Sequence, residues 1–351
     1  MHLFSDERLS PVSAKDLIDR LSLPELAWFA DKKCKTLHPE NYRTYVIDVN
    51  LNYTNICKCR CKFCAFYKDE NDPNSYILSI DDVLDRVKKA VEMGATQLLM
   101  QGGLTGKLKI EYFEDLFRAI KSNYDICIHS LSPPEILHIA ECSNLNTIDT
   151  LERLKNAGLD SLPGGGAELL IDDYRQKLSS NKCSSEEWAI VMYDASKIGL
   201  KATATMVFGF GESMQDIISH LDLIRKIQDD TNVFTAFIPW TYQSGNTNLG
   251  GKTFLGHTYL KVLALSRIYL DNIKNIQASN LTQGREITEL SLRFGANDIG
   301  GTLIYEKVVA STGLERTISE EELIDIIHSS GFTAVQRTTQ YDVIKTISDN
   351  I

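Results

Sequence analysis

The sequence predicts an α/β fold, a (β/α)8 barrel of the TIM type preceded by a short helical extension. Strand-like runs alternate with helix-like runs along the chain, and this alternation is typical of a parallel sheet. Eight such units closed into one sheet suit a chain of 351 residues. Polar and glycine-rich segments follow several predicted strands, and the carboxyl ends of barrel strands are where this fold places its chemistry.

Short apolar runs define the predicted strands, and helical patterns fill the gaps between them. In residues 80–94 the apolar positions lie three and four apart, and a glycine ends the run. Two more helical runs, 13–21 and 23–33, precede the first strand. We therefore predict a helical N-terminal cap, 1–43, and a barrel with a C-terminal segment, 44–351. The predicted strands are 45–51, 96–100, 126–129, 158–162, 202–208, 235–240, 275–279 and 301–304.

Composition and charge exclude several classes of protein. Hydrophobic residues make up 43% of the chain and charged residues 24%, as in ordinary globular domains. The net charge is -10 and no basic run occurs, so electrostatic binding of nucleic acid is not expected. Residues 1–7 lack the features of a signal peptide, and no apolar window is long enough to span a bilayer. We expect a soluble, cytoplasmic protein without a membrane partner.

Four of the eight cysteines lie within residues 57–64, and such clustering in a cytosolic chain indicates a metal site. Cys57, Cys61 and Cys64 form a Cys-x3-Cys-x2-Cys pattern after the first strand. Three thiolates can hold a [4Fe-4S] cluster and leave one iron without a protein ligand. Structural zinc, the alternative, usually takes four protein ligands, and no second cysteine pair follows. We expect Cys59 not to be a ligand, because a fourth thiolate would close the open iron.

This spacing, with the aromatic Phe63 before the last cysteine, resembles the radical S-adenosylmethionine (SAM) superfamily. The resemblance implies that SAM chelates the open iron through its amino and carboxylate groups. Reduction of the cluster then cleaves SAM and yields a 5′-deoxyadenosyl radical. The expected cofactors are therefore a [4Fe-4S] cluster and SAM, with Phe63 among the SAM contacts. A low-potential electron donor, such as flavodoxin or ferredoxin, is implied by the resemblance only.

Residues after the second and fourth strands are candidates for SAM binding. Gln101, Gly102 and Gly103 lie where glycines allow close backbone approach to a ligand. The resemblance implies contact with the methionyl amino group, and a tight turn is the alternative. Glu168 can accept hydrogen bonds from both ribose hydroxyls. Arg175, about two helical turns further on, suits the methionyl carboxylate. For Glu168 and Arg175 the alternative is a surface salt bridge.

Other residues near the predicted strand ends are candidates for the substrate. His129 ends the third strand and is a proton acceptor, a substrate ligand or a structural histidine. Asn297 and Asp298 can bind polar substrate groups or make a turn. Trp240 can line an aromatic pocket with Tyr242 and Phe237, or belong to the core. The predicted substrate residues are Ser132, Trp240, Ser279, Asn297 and Asp298.

Longer stretches, above all 163–168 and 295–302, resemble one family within the superfamily, the cyclic dehypoxanthinyl futalosine synthases of menaquinone biosynthesis. The resemblance runs from about residue 42 to 341. It implies that the radical abstracts the C4′ hydrogen of the ribose of dehypoxanthine futalosine and that the carbon radical adds to the benzoate ring. Loss of a proton and an electron then restores aromaticity. Arg285 is a candidate partner for the aryl carboxylate, or a solvated surface charge.

Ser196 and Asn280 depart from the pattern of this family, in which His and Trp are usual at the two positions. The Asn280 departure puts details of the substrate pocket in doubt. The enzyme alternatives are an aminofutalosine synthase and a deazaflavin-cofactor synthase of similar organisation. The alternative from another class is an iron–sulfur carrier or electron-transfer protein, which needs neither a full barrel nor a large pocket.

Overall fold

A computed structural model describes residues 8–252 and 256–348 of the chain. Residues 1–7, on which the predicted absence of a signal peptide depends, lie outside these ranges. The start of the predicted N-terminal cap, 1–43, and the end of the predicted barrel part, 44–351, also lie outside the described ranges.

A parallel sheet of seven strands, β2 to β8, forms the centre of the described fold, and each strand pairs with the next one along the chain. A second sheet has the order β11-β10-β1-β9. The strands are β1 (Tyr42–Val46), β2 (Asp48–Asn52), β3 (Gln97–Gln101), β4 (Cys127–Ser130), β5 (Ser161–Leu162), β6 (Lys201–Phe208), β7 (Phe234–Thr241), β8 (Asn275–Ile276), β9 (Asp298–Gly301), β10 (Thr333–Arg337) and β11 (Val343–Ile347).

Helices connect these strands, as the alternating pattern predicts. The run 80–94 forms α3, which begins at a Ser79 capping box and ends at Glu92. The helices are α1 (Pro11–Arg20), α2 (Leu23–Leu37), α3 (Ile80–Glu92), α4 (Ile110–Asn123), α5 (Pro133–Ser143), α6 (Thr147–Ala157), α7 (Asp172–Ser179), α8 (Ser185–Lys197), α9 (Met214–Thr231), α10 (Gly256–Tyr269), α11 (Asn280–Gln283), α12 (Arg285–Ser291) and α13 (Glu320–Ser329).

Residues 298–304 join the two edges of the seven-stranded sheet. Asp298 forms a parallel bridge with Gln277, just beyond β8, and Ile304 forms one with Val49 of β2. Gly300 and Leu303 both have positive φ, at 76° and 49°, so this segment cannot form a continuous ladder. The predicted α/β barrel is confirmed, and its eighth strand is connected by isolated bridges.

Two strand predictions need correction. The predicted first strand, 45–51, is two strands in different sheets, because β1 pairs with β9 and β10 whereas β2 pairs with β3. The predicted eighth strand, 301–304, begins earlier, at Asp298. The strands of the C-terminal hairpin, β10 and β11, are not among the predicted strands.

The N-terminal helices lie against the outside of the barrel. α1 packs on α9, and α2 packs on α10. At the end of α2, the His38 ring is 2.9 Å from the carbonyl oxygen of Lys274, directly before β8. The predicted helices are therefore present. They cover the outer face of the barrel and the amino ends of its strands, and they do not cover the carboxyl ends of the strands. The predicted division between 43 and 44 stays a prediction, and it falls inside β1.

A buried ion pair connects β9 and β10, which lie on either side of β1 in the second sheet. Asp298 opens β9 and accepts hydrogen bonds from Nε and Nη2 of Arg337, the last residue of β10, at 2.5 and 3.0 Å. Thr44 of β1 donates to the same carboxylate at 2.6 Å. The side chains of Arg337 and Asp298 are 4% and 0% exposed, so neither charge has water as an alternative partner.

Replacing Asp298 by Ala should lower the free energy of unfolding by about 3–5 kcal/mol, because it leaves the Arg337 charge buried without this partner. Urea denaturation measures the effect. The control is Asp85→Ala, which breaks the exposed pair between Asp85 and Lys89 on α3 and should cost less than about 1 kcal/mol. Equal losses in the two variants would contradict the role of the buried pair.

Candidate active site

The cysteine loop, residues 53–67, follows β2 and is anchored to three other segments. The Cys57 amide donates to the Lys68 carbonyl at 3.2 Å, and the Lys58 amide donates to the Leu104 carbonyl at 2.9 Å. The Lys62 amide donates to the carbonyl of Leu178 on α7 at 2.9 Å. These backbone bonds hold the cysteines at the carboxyl end of the barrel strands, where the sequence predicts them.

Gly102 and Gly103 make room for this loop. A Cβ on Gly103 would lie 2.2 Å from the carbonyl oxygen of Ile56 and 2.9 Å from Cβ of Cys57, and one on Gly102 would lie 2.6 Å from the Tyr53 ring. Their amides donate to protein acceptors: Gly102 to Oε1 of Glu135 and Gly103 to the Thr54 carbonyl. The predicted close approach is therefore between the glycines and the cysteine loop. Contact with SAM at this segment stays a prediction, with Gln101 the member that lines the cavity.

One cavity of about 320 Å³ runs from the cysteine loop into the barrel. Phe63, Cys64 and Glu168 line it at the loop, and Arg337 and Tyr341 of the C-terminal segment line it beside β9. Most polar side chains on its wall are uncharged amides and hydroxyls, which suit a ligand rich in neutral oxygen and nitrogen atoms. The residues with such amide or aliphatic hydroxyl side chains are Asn50, Asn52, Gln97, Gln101, Thr203, Thr205, Thr241, Gln243, Gln277, Ser279, Asn280, Thr282, Thr312 and Thr339.

Glu168 occupies the predicted place and has an unpredicted partner. Its backbone has a positive φ of 41°, which is uncommon for a residue with a side chain and often marks a functional site. Its Oε1 accepts a hydrogen bond from Nζ of Lys182 at 2.8 Å. Lys182 also lies 5.7 Å from the ring centroid of Phe63. No sequence motif signals Lys182, because the loop after α7 brings it to the site.

Arg175 does not take the predicted role. The residue is 5% exposed, and its guanidinium donates to the backbone carbonyls of Gly166, Ala167 and Cys183. It does not line the large cavity. The expectation of a bidentate pair with the methionyl carboxylate is therefore corrected: Arg175 holds the glycine-rich turn before Glu168.

The predicted substrate residues divide into two groups. Trp240 and Ser279 line the cavity, as does Tyr242, whereas Phe237 is fully buried in the core. Ser132 caps α5 by bonding to Glu135 and does not line the cavity.

Asn297, Asp298 and Arg285 need correction as substrate residues. Asn297 bonds to the buried Arg267 and to Asn275, so it is structural. Asp298 belongs to the ion pair with Arg337, and Arg285 pairs with Glu289 and Asp325 on the surface. None of the three lines the cavity.

The two departures from the family pattern lie in different places. Asn280 lines the cavity and donates to the carbonyls of Ile299 and Gly301, so it supports the bend after β9. Ser196 lies on α8, away from the cavity, and donates to the Thr231 carbonyl.

Comparison with protein families identifies two regions. The radical SAM superfamily matches residues 51–224, and the family described as CofH/MqnC C-terminal region matches residues 231–350. A cyclic dehypoxanthine futalosine synthase from Halalkalibacterium halodurans is 41% identical over 345 residues, with 98% of this chain and 93% of that protein covered. The chain belongs to the CofH/MqnC family of radical SAM enzymes.

Relatives of similar identity include enzymes of two different activities. A second cyclic dehypoxanthine futalosine synthase, from Streptomyces coelicolor, is 40% identical over 95% of this chain and 85% of that protein. A 5-amino-6-(D-ribitylamino)uracil–L-tyrosine 4-hydroxyphenyl transferase from Methanocaldococcus jannaschii is 38% identical over 97% of this chain and 99% of that protein. Sequence identity alone therefore does not separate the two substrates.

Solved structures agree on the fold of the family. The hydrogenase maturase HydG from Carboxydothermus hydrogenoformans matches with a TM-score of 0.75 at 17% identity, covering 95% of this chain and 78% of that chain. Methylornithine synthase (PylB) matches with a TM-score of 0.73 at 19% identity, covering 93% and 94%. In the described part of this family member, no helix is both long and apolar enough to cross a membrane.

Family membership implies a [4Fe-4S] cluster and SAM, and the chemistry of the cysteine loop fits the cluster. A hydrogen bond from the Cys59 thiol lowers the pKa of Cys57 to about 5 and that of Cys61 to about 7. Both thiols thus favour the thiolate, the form that binds iron. Burial raises the pKa of Cys64 to about 11. The same contacts with Cys57 and Cys61 raise the pKa of Cys59. The absence of Cys59 from the ligand set stays a prediction.

A cluster and a single metal ion need different arrangements of their ligands. Within residues 8–252 and 256–348, no three His, Cys, Asp or Glu side chains are arranged to hold one metal ion. A [4Fe-4S] cluster does not require that arrangement, because each thiolate binds a different iron. Cys57, Cys61 and Cys64 remain the predicted ligands.

Replacing Gly103 by Ala should displace the cysteine loop, because the new methyl group would overlap the Ile56 carbonyl. Overpacking of this kind costs about 1–3 kcal/mol. We expect less iron bound per protein after anaerobic reconstitution. The matched control is Gly106→Ala. Gly106 lies with Gly103 in the loop between β3 and α4, and a Cβ there meets no atom within 4 Å. Equal iron content in the two variants would contradict the seating role of Gly103.

His129 lines the cavity as a neutral imidazole. Its Nδ1 lies 2.7 Å from Oγ of Ser161, and its Nε2 lies 3.5 Å from Oγ1 of Thr203. Burial lowers the pKa of His129 from 6.5 to about 3. Between pH 3 and pH 6.5, therefore, the imidazole of His129 is protonated in the unfolded chain and unprotonated in the folded protein. The resulting stability is present above pH 6.5 and is lost as the pH falls towards 3.

The variant His129→Gln should depend less on pH than the wild type does. Between pH 6.5 and pH 5 the wild type should lose about 1.6 kcal/mol more than the variant, because the unfolded histidine is half protonated at pH 6.5 and becomes almost fully protonated at pH 5. Denaturant unfolding at the two pH values measures this difference. His257→Gln, at a solvent-exposed position, is the control. Parallel losses in all three proteins would show that His129 is not buried as described.

Proposed function

We propose that this enzyme cyclises dehypoxanthine futalosine to cyclic dehypoxanthine futalosine in the biosynthesis of menaquinone. The observation that carries the proposal is a continuous cavity that joins the cysteine loop to an interior lined by amides and hydroxyls. One extended substrate with a sugar and an aryl group fits such a chamber beside SAM. The synthases at 41% and 40% identity support the same activity.

Cys57, Cys61 and Cys64 would hold the cluster. When bound, the cluster and SAM supply the radical that removes the ribose C4′ hydrogen. Phe63, Gln101 and Glu168 line the cavity beside this loop and are the proposed SAM contacts. The Glu168 carboxylate suits the ribose hydroxyls of SAM, with Lys182 balancing its charge.

The barrel interior would position the substrate for an intramolecular reaction. Side chains on all sides of the cavity hold the sugar and the aryl ring at a fixed separation and exclude water. Rearomatisation after ring closure releases one proton and one electron. His129 is our proposed acceptor of the proton, and the oxidised form of the redox partner would take the electron. Because Ser161 engages Nδ1, the more weakly bonded Nε2 of His129 is the atom that would take the proton.

The reaction also needs an external source of electrons to reduce the cluster. A low-potential flavodoxin or ferredoxin is the partner we propose for this role. We retain the 4-hydroxyphenyl transferase activity as a second candidate, because the relative at 38% identity aligns over 99% of its own length. An aminofutalosine synthase is a further alternative. A simple iron–sulfur carrier would have no use for a cavity of about 320 Å³ next to the cysteine loop.

Anaerobic turnover tests the proposal. The reconstituted protein is incubated with dehypoxanthine futalosine, SAM and a reductant, and mass spectrometry follows the products. We expect substrate-dependent 5′-deoxyadenosine and a product two hydrogens lighter than the substrate. A parallel reaction contains 5-amino-6-(D-ribitylamino)uracil and L-tyrosine. If only the second reaction gave a product, the proposed cyclase activity would be wrong and the transferase activity would take its place.

Cysteine variants test the ligand set within the same assay. Cys61→Ser should abolish product formation, because it removes one of the three thiolates that the cluster needs. Cys59→Ser is the matched control in the same loop and should retain activity. Loss of the cluster in Cys59→Ser with retention in Cys61→Ser would overturn the assignment of ligands.

A further inference from the structure

Tyr341 lines the cavity on the C-terminal segment, and its phenol oxygen is buried without a hydrogen-bond partner in the described part of the chain. Buried polar groups normally have partners, so each exception calls for an explanation. The cavity that Tyr341 borders is open space beside this residue that a ligand can occupy. A ligand in the cavity is therefore the natural source of the missing partner.

The backbone at Tyr341 is held in an unusual conformation. Its φ is 71°, in the left-handed region that residues with large side chains rarely adopt. A turn imposes this conformation: the Tyr341 amide donates to the Thr338 carbonyl at 3.1 Å, and the Thr338 amide donates to the Asp342 carbonyl at 2.8 Å. Such strain persists where the surrounding structure enforces it, and it is concentrated at functional sites.

Arg337 fixes the ring of Tyr341. The guanidinium carbon lies 4.0 Å from the ring centroid, and the guanidinium is also paired with Asp298. Burial raises the pKa of Tyr341 well above its usual range, so the phenol keeps its proton and acts as a donor.

The charges around this position favour a neutral acceptor. The Asp298 carboxylate already neutralises Arg337, and the Asp48 carboxylate adds a further negative charge to the same cluster. A carboxylate of the ligand would be repelled there, whereas a hydroxyl would not.

We propose that Tyr341 is a substrate-binding residue whose phenol donates a hydrogen bond to a sugar hydroxyl of the substrate. The inference rests on the proposed function for the identity of the substrate. The ribityl chain in the alternative reaction offers the same hydroxyl chemistry.

Calorimetric binding of dehypoxanthine futalosine to the cluster-loaded protein, without reductant, tests this role. Tyr341→Phe keeps the ring over Arg337 and removes only the hydroxyl. We expect the dissociation constant to rise about tenfold, as for loss of one buried hydrogen bond. Without substrate, the variant should be as stable as the wild type, because the hydroxyl has no protein partner to lose.

The matched control is Tyr45→Phe, outside the cavity. Tyr45 donates to Oε1 of Glu320 at 2.7 Å, so this variant should lose stability but bind substrate normally. Unchanged binding in Tyr341→Phe, or a loss of stability like that of Tyr45→Phe, would overturn the assignment. If the wild-type protein fails to bind, the proposed function fails, and the variants are then compared with 5-amino-6-(D-ribitylamino)uracil.

A methyl ester of the substrate's aryl carboxylate identifies the group that Tyr341 contacts. If the phenol binds a sugar hydroxyl, Tyr341→Phe weakens binding of the ester and of the free acid by the same factor, since independent sites are additive. A loss that disappears with the ester would assign Tyr341 to the carboxylate and overturn the sugar contact.

Discussion

The buried pair between Asp298 and Arg337 connects the barrel to the segment that completes its cavity. Asp298 begins β9, the strand that also bridges the two edges of the seven-stranded sheet, and Arg337 ends β10, which lies in the same four-stranded sheet as β9. An unpaired charge at either position would be costly, so each residue fixes the place of the other. The turn that carries Tyr341 follows Arg337 directly. One wall of the cavity therefore depends on this buried ion pair.

A second group of charges lies at the opposite end of the cavity. Lys182 is close to both Glu168 and Cys61, and its positive charge favours the Cys61 thiolate. A cluster held by three thiolates adds negative charge to this end, which a buried cation helps to balance. Arg175 contributes through geometry, because its bonds to three backbone carbonyls shape the turn that presents Glu168. The two ends of the cavity thus differ: a cation lies beside the thiols, and an excess of carboxylates lies beside Tyr341.

The sequence predicts local features well and long-range contacts poorly. Alternating periodicity gives the order of strands and helices, and the spacing of Cys57, Cys61 and Cys64 indicates the superfamily. The role of Asn297 and Asp298 depends on Arg267 and Arg337, which are distant in the chain, so a polar pair beside glycines was misread as a substrate site. Lys182 and Tyr341 belong to no motif, and only the folded chain brings them to the cavity. The first predicted strand was wrong because hydrophobicity does not reveal a change of sheet at Ile47.

The amide-lined interior bears on how members of this family distinguish their substrates. The substrates of the proposed cyclase and of the related transferase both contain a polyol, from a ribosyl or a ribityl group. Neutral amides and hydroxyls such as Asn50, Gln97 and Gln277 suit either one, so these residues do not explain discrimination. The remaining parts of the substrates differ in aromatic structure and charge. Trp240 lines the same cavity, and its indole nitrogen is buried with no partner in the described chain. Because a site rejects a ligand that leaves its buried polar groups unpaired, discrimination is better sought at such positions than on the amide wall.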